Sequence, residues 1–227
     1  MMGAGLLDFE KMLLTTPQVS TSPPELSGDA AALTRQLGSP DGLIELALVS
    51  ASVRLPRAYD LPSLRRCLVA YHNEILAPLE LPVVYRACPH AGRGEVRELI
   101  ALDQQLSQQP RLKDFAEASQ RVGWSQLRQL RPLRDQRLVR RYILAVEQGE
   151  ARAWHTIVYG VVLSLYSVPL RQGLLSYGWQ TTNGFIQSAA RSLRLPEADC
   201  QALLHELGEG LSPVVAQLLS RDGAPAL

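Results

Sequence analysis

Apolar residues recur at intervals of three and four positions along nearly all of the chain after Ser39. One clear instance is the series Leu64, Leu68, Tyr71 and Ile75. This spacing brings side chains to one face of an α-helix, whereas a half-buried strand would show an apolar residue at every second position. No stretch of the chain shows sustained alternation of that kind. The pattern therefore predicts an all-α fold.

Capping residues and prolines divide the apolar pattern into helices. Asp60-Leu61-Pro62 is a typical helix start, because a capping carboxylate precedes a proline whose missing N–H needs no partner there. Ser39-Pro40-Asp41 has the same form. Pro78 and Pro82 predict a break or kink, since proline removes a helical hydrogen bond. We expect a single-domain bundle of about eight to ten helices over residues 28–227.

The segment before this domain has a different composition. Residues 15–28 read TTPQVSTSPPELSG, which is dense in Thr, Ser and Pro. Such a stretch interrupts helices and buries little apolar surface. We therefore predict that residues 1–27 form a flexible N-terminal arm.

The overall charge gives no reason to expect nucleic acid or membrane as a partner. The chain of 227 residues has 23 Lys and Arg against 22 Asp and Glu, a formal net charge of +1. A near-neutral protein has no general field that attracts phosphate backbones. The longest apolar stretch, Ile157 to Leu165, is too short to span a bilayer. Met1 to Leu14 lacks the basic and apolar regions of a secretory signal. We expect a cytoplasmic protein.

Candidate catalytic chemistry is scarce. The chain has no GxxxxGK[ST] loop, no GxGxxG after a strand, no HExxH and no GxSxG. The three cysteines are widely spaced, and no histidine has a clear ligand partner one helical turn away. His205 and Glu209 could meet across one turn, which we interpret as a surface contact. We predict no catalytic site, no metal site and no cofactor.

Two further features have a structural and a functional interpretation. The arginine-rich run from Arg128 to Arg141 could bind an acidic partner surface or a phosphate, or it could be a solvated junction between helices. Small residues lie on apolar helix faces at Ser119, Gly123 and Gly160. We predict that these three allow a second helix to approach closely, because no catalytic base is near them in the sequence.

Several short motifs occur in an order that resembles the UreF family of urease accessory proteins. The resemblance runs from Ser39 to Val215 and rests on these stretches: Leu81-Pro82, Leu102-Asp103, Glu117 to Gly123, His155 to Gly160, Val168-Pro169-Leu170, Ser188 to Arg191, and Asp199 with Gln201. The chain departs from the family pattern at Ser39 to Glu45, which retains little of the usual opening segment. It departs again at Arg194 to Glu197, where the family has P-L-G-Q.

The resemblance implies an all-helical adaptor without an active site of its own. Members of this family bind the accessory protein UreD, also called UreH, and the GTPase UreG. Together with the urease apoprotein they help to assemble the nickel centre of urease. The family and the small-residue helix faces also favour a homodimer.

Four residues in the matching motifs are our candidates for partner contacts: Arg191, Gln201, His155 and Tyr159. Arg191 follows three small residues, and its guanidinium could either contact a partner or cap its own helix.

Two alternatives to the urease accessory role remain open on the sequence. One is a helical enzyme whose site combines dispersed residues such as His72, His155 and the Arg128 to Arg141 run. The other is a helical adaptor unrelated to urease.

Overall fold

A computed structural model describes residues 58–130 and 136–221 of the chain. Of these residues 84% are helical, and none of them belongs to a β-strand. The predicted all-α class is confirmed for this part of the protein. The predicted arm at residues 1–27 and the predicted helix start at Ser39 lie outside the described residues.

The first helical segment is continuous over three stretches, in which the winding changes from α to π and back to α. Helix α1 (Leu61–Tyr71) leads into a π-helix (His72–Glu80), which leads into α2 (Leu81–Gly92). The start at Asp60 is confirmed by a capping box, in which Ser63 N donates to Asp60 Oδ1 at 2.8 Å and Asp60 N donates to Ser63 Oγ at 3.0 Å.

The break or kink predicted at Pro78 and Pro82 does not take the form of a break, because the helical segment continues and its winding changes to a π-helix. Pro78 lies inside the π-helix, and Pro82 lies in the first turn of α2. A proline ring normally collides with the carbonyl one α-turn earlier, and the wider π-turn moves that carbonyl away. The segment ends at Gly92, and Gly94 follows with a positive φ of 69°.

The remaining helices are short, apart from one of 24 residues. They are α3 (Val96–Ser107), a 3-10 helix (Pro110–Phe115), α4 (Ala116–Gln129), α5 (Arg137–Glu147), α6 (His155–Leu165), α7 (Leu170–Leu193), α8 (Glu197–Glu209) and α9 (Leu211–Arg221). Helices α8 and α9 are separated by Gly210.

Helix α6 is the centre of the bundle. It contains no charged residue, and every residue from His155 to Leu163 is buried. A helix that is apolar all round must be covered on all sides. Helices α2 and α4 pack against α6, and α7 packs against α1, α2, α8 and α9. None of the described helices is long and apolar enough to cross a membrane.

A buried carboxylate on α3 fixes the chain just before α6. Asp103 is fully buried and accepts hydrogen bonds from Arg152 N at 2.6 Å, Tyr142 Oη at 3.0 Å and Trp154 N at 3.3 Å. Burial raises the pKa of Asp103, although these donors act in the opposite direction. The carboxylate thus joins α3, α5 and the start of α6. It also supports the positive φ of 57° at Ala153.

Candidate partner-binding surfaces

The four residues predicted to contact partners lie in two environments. His155 and Tyr159 are on the central helix α6, where they are 0% and 1% exposed. Arg191, near the end of α7, is exposed, and Gln201 on α8 is partly exposed. A partner can therefore reach Arg191 and Gln201 on the folded chain. Contact with His155 or Tyr159 would require the helices that cover α6 to separate.

His155 and Tyr159 belong to a buried cluster that also contains Tyr71, Glu80 and Tyr177, which we call the internal cluster. The His155 ring stacks on Tyr177 with centroids 5.5 Å apart, and it meets Tyr159 edge-on at 5.9 Å. Neither ring nitrogen of His155 has a hydrogen-bond partner. Burial lowers the pKa of His155 to about 4, so the ring is neutral at physiological pH.

Glu80 is the acidic member of the internal cluster. Its Oε2 accepts hydrogen bonds from Tyr71 Oη at 2.5 Å and from Tyr177 Oη at 3.2 Å. Burial raises the pKa of Glu80 to about 7, against the lowering effect of the two hydroxyls. Sequence reasoning did not identify this residue. The sequence feature that could have indicated Glu80 is its position as a single acid inside the apolar run from Ile75 to Leu81.

The small residues lie where backbones approach one another closely. A Cβ added to Gly123 would come within 1.9 Å of Ala153 O, and one added to Gly160 would come within 2.6 Å of Ala87 Cβ. Ser119 Oγ accepts the N–H of His155 at 3.2 Å. All three residues are therefore occupied by contacts within the chain. Their small size gives no support to a homodimer.

The surface formed by the end of α7 and the start of α8 carries Arg191 and Gln201. Gln201 Nε2 donates to Glu197 Oε1 at 3.0 Å. Among the described residues Arg191 has neither an ion-pair nor a hydrogen-bond partner. The carbonyl of Ala190 at the end of α7 instead accepts the N–H groups of Arg194 and Leu195. Backbone groups thus cap this end of the helix without the Arg191 guanidinium.

The arginine-rich run is divided between two places, with residues 131–135 outside the described part. Arg128 lies over the ring of Trp124, 5.9 Å from its centroid. The arginines from residue 137 onward line a groove between α3 and α5, which we call the arginine groove. Its lining residues are Val96, Arg97, Ile100, Arg137, Arg140, Arg141, Leu144, Ala145, Gln148 and Glu150.

The residues proposed for a dispersed active site do not converge. His72 Nε2 lies 2.7 Å from Thr182 Oγ1, and His72 lines a different groove, between the first helical segment and the pair α8 and α9. His155 is inside the bundle, and the arginines are on the surface. His205 pairs with Glu209 at 3.3 Å on the exposed side of α8. The described residues contain no group of three or more His, Cys, Asp or Glu that could bind a metal ion.

Comparison with known proteins identifies the family. The sequence model of UreF matches residues 59–208, which extend from the start of α1 almost to the end of α8. Over 159 residues the chain is 20% identical to the urease accessory protein UreF of Ureaplasma urealyticum serovar 10 (strain ATCC 33699 / Western). That alignment covers 70% of this chain and 68% of the relative. The chain belongs to the UreF family.

Proposed function

We propose that this protein is a urease accessory protein that acts as a helical adaptor in the cytoplasm. In this role it binds UreD (UreH) and the GTPase UreG, and with the urease apoprotein it assists the assembly of the nickel centre. The observation that carries the proposal is the family match over residues 59–208, which includes the helices that form the core. The relative from Ureaplasma, which is named as a urease accessory protein, supports the same role.

The polar groups of the bundle suit an adaptor better than an enzyme. Glu80 and His155 are two buried groups with strongly shifted pKa values inside the bundle, and both lie among aromatic rings. A catalytic acid or base must come within hydrogen-bond reach of a substrate. The internal cluster is better suited to fixing the packing of α6 and α7 against the first helical segment.

We propose that the partner surface is the end of α7 and the start of α8. Arg191 offers five N–H donors in a planar fork, which suits a carboxylate or carbonyl of a partner. The half-buried side chains from Gln187 to Ala190 are mostly small and leave the guanidinium accessible beside the helix. We assign direct partner contact to Arg191 and Gln201. For His155 and Tyr159 the same role would need α6 to be uncovered.

Co-purification tests this function. The full-length chain, carrying an affinity tag, is expressed together with UreD and UreG encoded in the same genome. We expect UreD to co-purify in stoichiometric amount, and UreG to join when UreD is present. In the control, the tagged chain is expressed with UreG and with an unrelated helical protein of similar size in place of UreD. If neither protein is retained at any salt concentration at which the chain stays folded, the urease role is wrong.

A further inference from the structure

We propose that the arginine groove is a docking site for an acidic, amphipathic segment of a partner protein, one that presents carboxylates beside an apolar side chain. The groove lies on α3 and α5, whereas the proposed adaptor surface lies on α7 and α8. The inference therefore goes beyond the urease accessory role and does not depend on it. It rests on the charges, the pairing and the apolar floor of the groove.

The charge of the groove is concentrated and unpaired. Arg97, Arg137, Arg140 and Arg141 line it with a single acid, Glu150, although the whole chain has a formal net charge of only +1. Among the described residues none of the four arginines forms an ion pair. Like charges three and four positions apart weaken a helix, as at 137, 140 and 141 on α5. A partner that supplies carboxylates would relieve this repulsion.

Two exposed arginines outside the groove have acidic partners within the chain. Arg65 Nε donates to Glu206 Oε1 at 2.8 Å and joins α1 to α8. Arg93 Nε donates to Glu95 Oε1 at 2.8 Å beside the turn after α2. These two arginines are paired with carboxylates of the chain, whereas Arg191 is not, among the described residues. The arginine groove has four such donors without a described acceptor.

An apolar strip between the arginines distinguishes the groove from a purely solvated face. Leu144 is 42% exposed and is one of four large hydrophobic side chains that are exposed among the described residues. Ile100 is partly buried beside it, and Val96 and Ala145 form the buried floor. A single exposed leucine is ordinary. Leu144 together with four planar, weakly hydrated guanidinium groups resembles the composition of a protein interface.

The shape of the groove favours a polypeptide over a small anion. Its lining residues extend from Arg137 at the start of α5 to Gln148 just after its end, about 16 Å at 1.5 Å per residue. A phosphate ion would fill only one part of this length and would leave Leu144 and Ile100 uncovered. A nucleic acid would meet Glu150 in the groove and a chain of nearly neutral charge. A helix or strand with carboxylates on one face can pair with the arginines and cover the leucine.

Fluorescence anisotropy with a defined peptide tests the proposal. The probe is a fluorescein-labelled 16-residue helical peptide with glutamates three and four positions apart and leucines on the same face. The matched control peptide has the same composition, with the glutamates spread around the helix. We expect saturable binding of the probe to the full-length protein and at least tenfold weaker binding of the control peptide. Binding of the probe should weaken as NaCl rises from 50 to 300 mM.

Variants of the chain locate the binding. We expect the double variant Arg140→Glu/Arg141→Glu to bind the probe at least tenfold more weakly, and Leu144→Asp to do the same at 300 mM NaCl. The control Arg66→Glu/Arg86→Glu makes the same change in net charge on the exposed sides of α1 and α2, and it should bind within twofold of the wild type. Circular dichroism and thermal unfolding verify that each variant is folded. Arg140→Gln/Arg141→Gln replaces the first variant if charge reversal unfolds the chain.

Four results would overturn the proposal. The first is absence of probe binding at 50 mM NaCl, and the second is equal affinity for the two peptides. The third is an equal loss in the control variant, which would show attraction to net charge alone. The fourth is displacement of the probe by inorganic phosphate or a single-stranded RNA oligonucleotide at lower concentration than by unlabelled peptide. None of these results bears on co-purification with UreD and UreG.

Discussion

At the scale of single residues, Gly123 sets the distance between α4 and the segment that leads into α6. An added Cβ would lie 1.9 Å from Ala153 O and 2.9 Å from His155 N, both of which are backbone atoms. A flexible side chain could move aside, but this backbone is fixed by Asp103 and by the Ser119 hydroxyl. The contact can be relieved only if α4 moves away.

We therefore predict that Gly123→Ala destabilises the protein. Overpacking of this kind costs about 1–3 kcal/mol, which exceeds the gain of about 1 kcal/mol that alanine brings to a helix. Urea denaturation should show a lower midpoint with an unchanged slope. Gly210→Ala is the matched control, because its nearest neighbour, Leu207 O, would be 3.4 Å from the new Cβ. A midpoint for Gly123→Ala equal to that of the wild type would contradict this account of the contact.

Glu80 makes stability depend on pH through its buried carboxyl group. Its pKa rises from 4.5 to about 7 on folding, so between these values the folded protein keeps a proton that the unfolded chain releases. The stabilisation that the folded protein gains by keeping the Glu80 proton is fully present below pH 4.5 and is lost as the pH rises through about 7. Burial of His72 and His155, with pKa values lowered to about 4, acts in the opposite direction between pH 4 and 6.5.

Glu80→Gln should isolate the effect of this carboxyl group, because the amide still accepts a tyrosine hydrogen bond but does not titrate. We predict that the stability of the variant relative to the wild type rises by roughly 2–3 kcal/mol from pH 5 to pH 8. Urea denaturation at several pH values measures this difference. Glu74→Gln, an exposed change on the same π-helix, is the control and should show no such trend. A constant difference between Glu80→Gln and the wild type would mean that Glu80 is ionised throughout.

The sequence predicted some of these residues and missed others for physical reasons. Gly123 and Ser119 could be found because a small residue on an apolar helix face has few uses other than close packing. Glu80 could not, because its two hydroxyl donors come from residues 9 and 97 positions away along the chain. His155 is polar and lies in a family motif, but its burial follows from the helices that cover α6.

At the scale of elements, Asp103 joins three of them through one carboxylate. Its carboxylate oxygens accept hydrogen bonds from the hydroxyl of Tyr142 on α5 and from the N–H groups of Arg152 and Trp154 before α6. The neighbouring Gln104 Nε2 also binds this segment, donating to Glu150 O at 3.0 Å, but on the exposed side. Asp103 thus makes a buried link between α3 and this segment, and Gln104 makes an exposed one.

We predict that Asp103→Asn costs about 2–4 kcal/mol, because an amide presents two donors where the site supplies only donors and leaves a buried N–H unpaired. Gln104→Ala should cost about 1 kcal/mol or less, since water can replace its exposed bond. Native-state hydrogen exchange of the Arg152 and Trp154 amides should accelerate strongly in the first variant and little in the second. Equal protection in both variants would show that the segment is fixed by packing rather than by Asp103.

Element boundaries were the less predictable part of the fold. Proline at positions 78 and 82 indicated a break or kink. The winding changes to a π-helix there, and the helical segment continues to Gly92. The local sequence predicts that a proline removes a helical hydrogen bond. It does not predict that α6 and α7 pack against this segment and hold it together. The start at Asp60 was predictable because a capping box is made entirely by neighbours in the sequence.

At the scale of the whole molecule, the polar groups around the central helix α6 are buried, and two candidate binding surfaces lie on the outside of the bundle. The internal cluster serves the packing of the bundle. Arg191 and Gln201 lie on one exposed surface, and the arginine groove lies on α3 and α5. The absence of charge along α6 made its burial predictable from the sequence. The surfaces were less predictable, because the run from Arg128 to Arg141 is contiguous in sequence but divided in space.

We predict that Arg191→Ala changes partner binding without changing stability. The side chain is exposed and unpaired among the described residues, so the melting temperature should stay within about 1–2 °C of the wild type. Binding of UreD or UreG should weaken by about 2 kcal/mol or more, as for other interface arginines. Isothermal titration calorimetry and thermal unfolding measure the two effects, with Arg66→Ala as the control. A fall in melting temperature with intact binding would assign Arg191 to the helix end instead.

The most direct measurement of the central claim is urease activation in cells. A host without urease receives the urease structural and accessory genes of the source genome, with or without the gene for this chain. Urease activity and the nickel content of the purified enzyme are then determined. The adaptor role predicts inactive, nickel-poor urease without the chain and restoration of both when the chain is supplied. Urease that is equally active and equally loaded with nickel in the absence of the chain would contradict it.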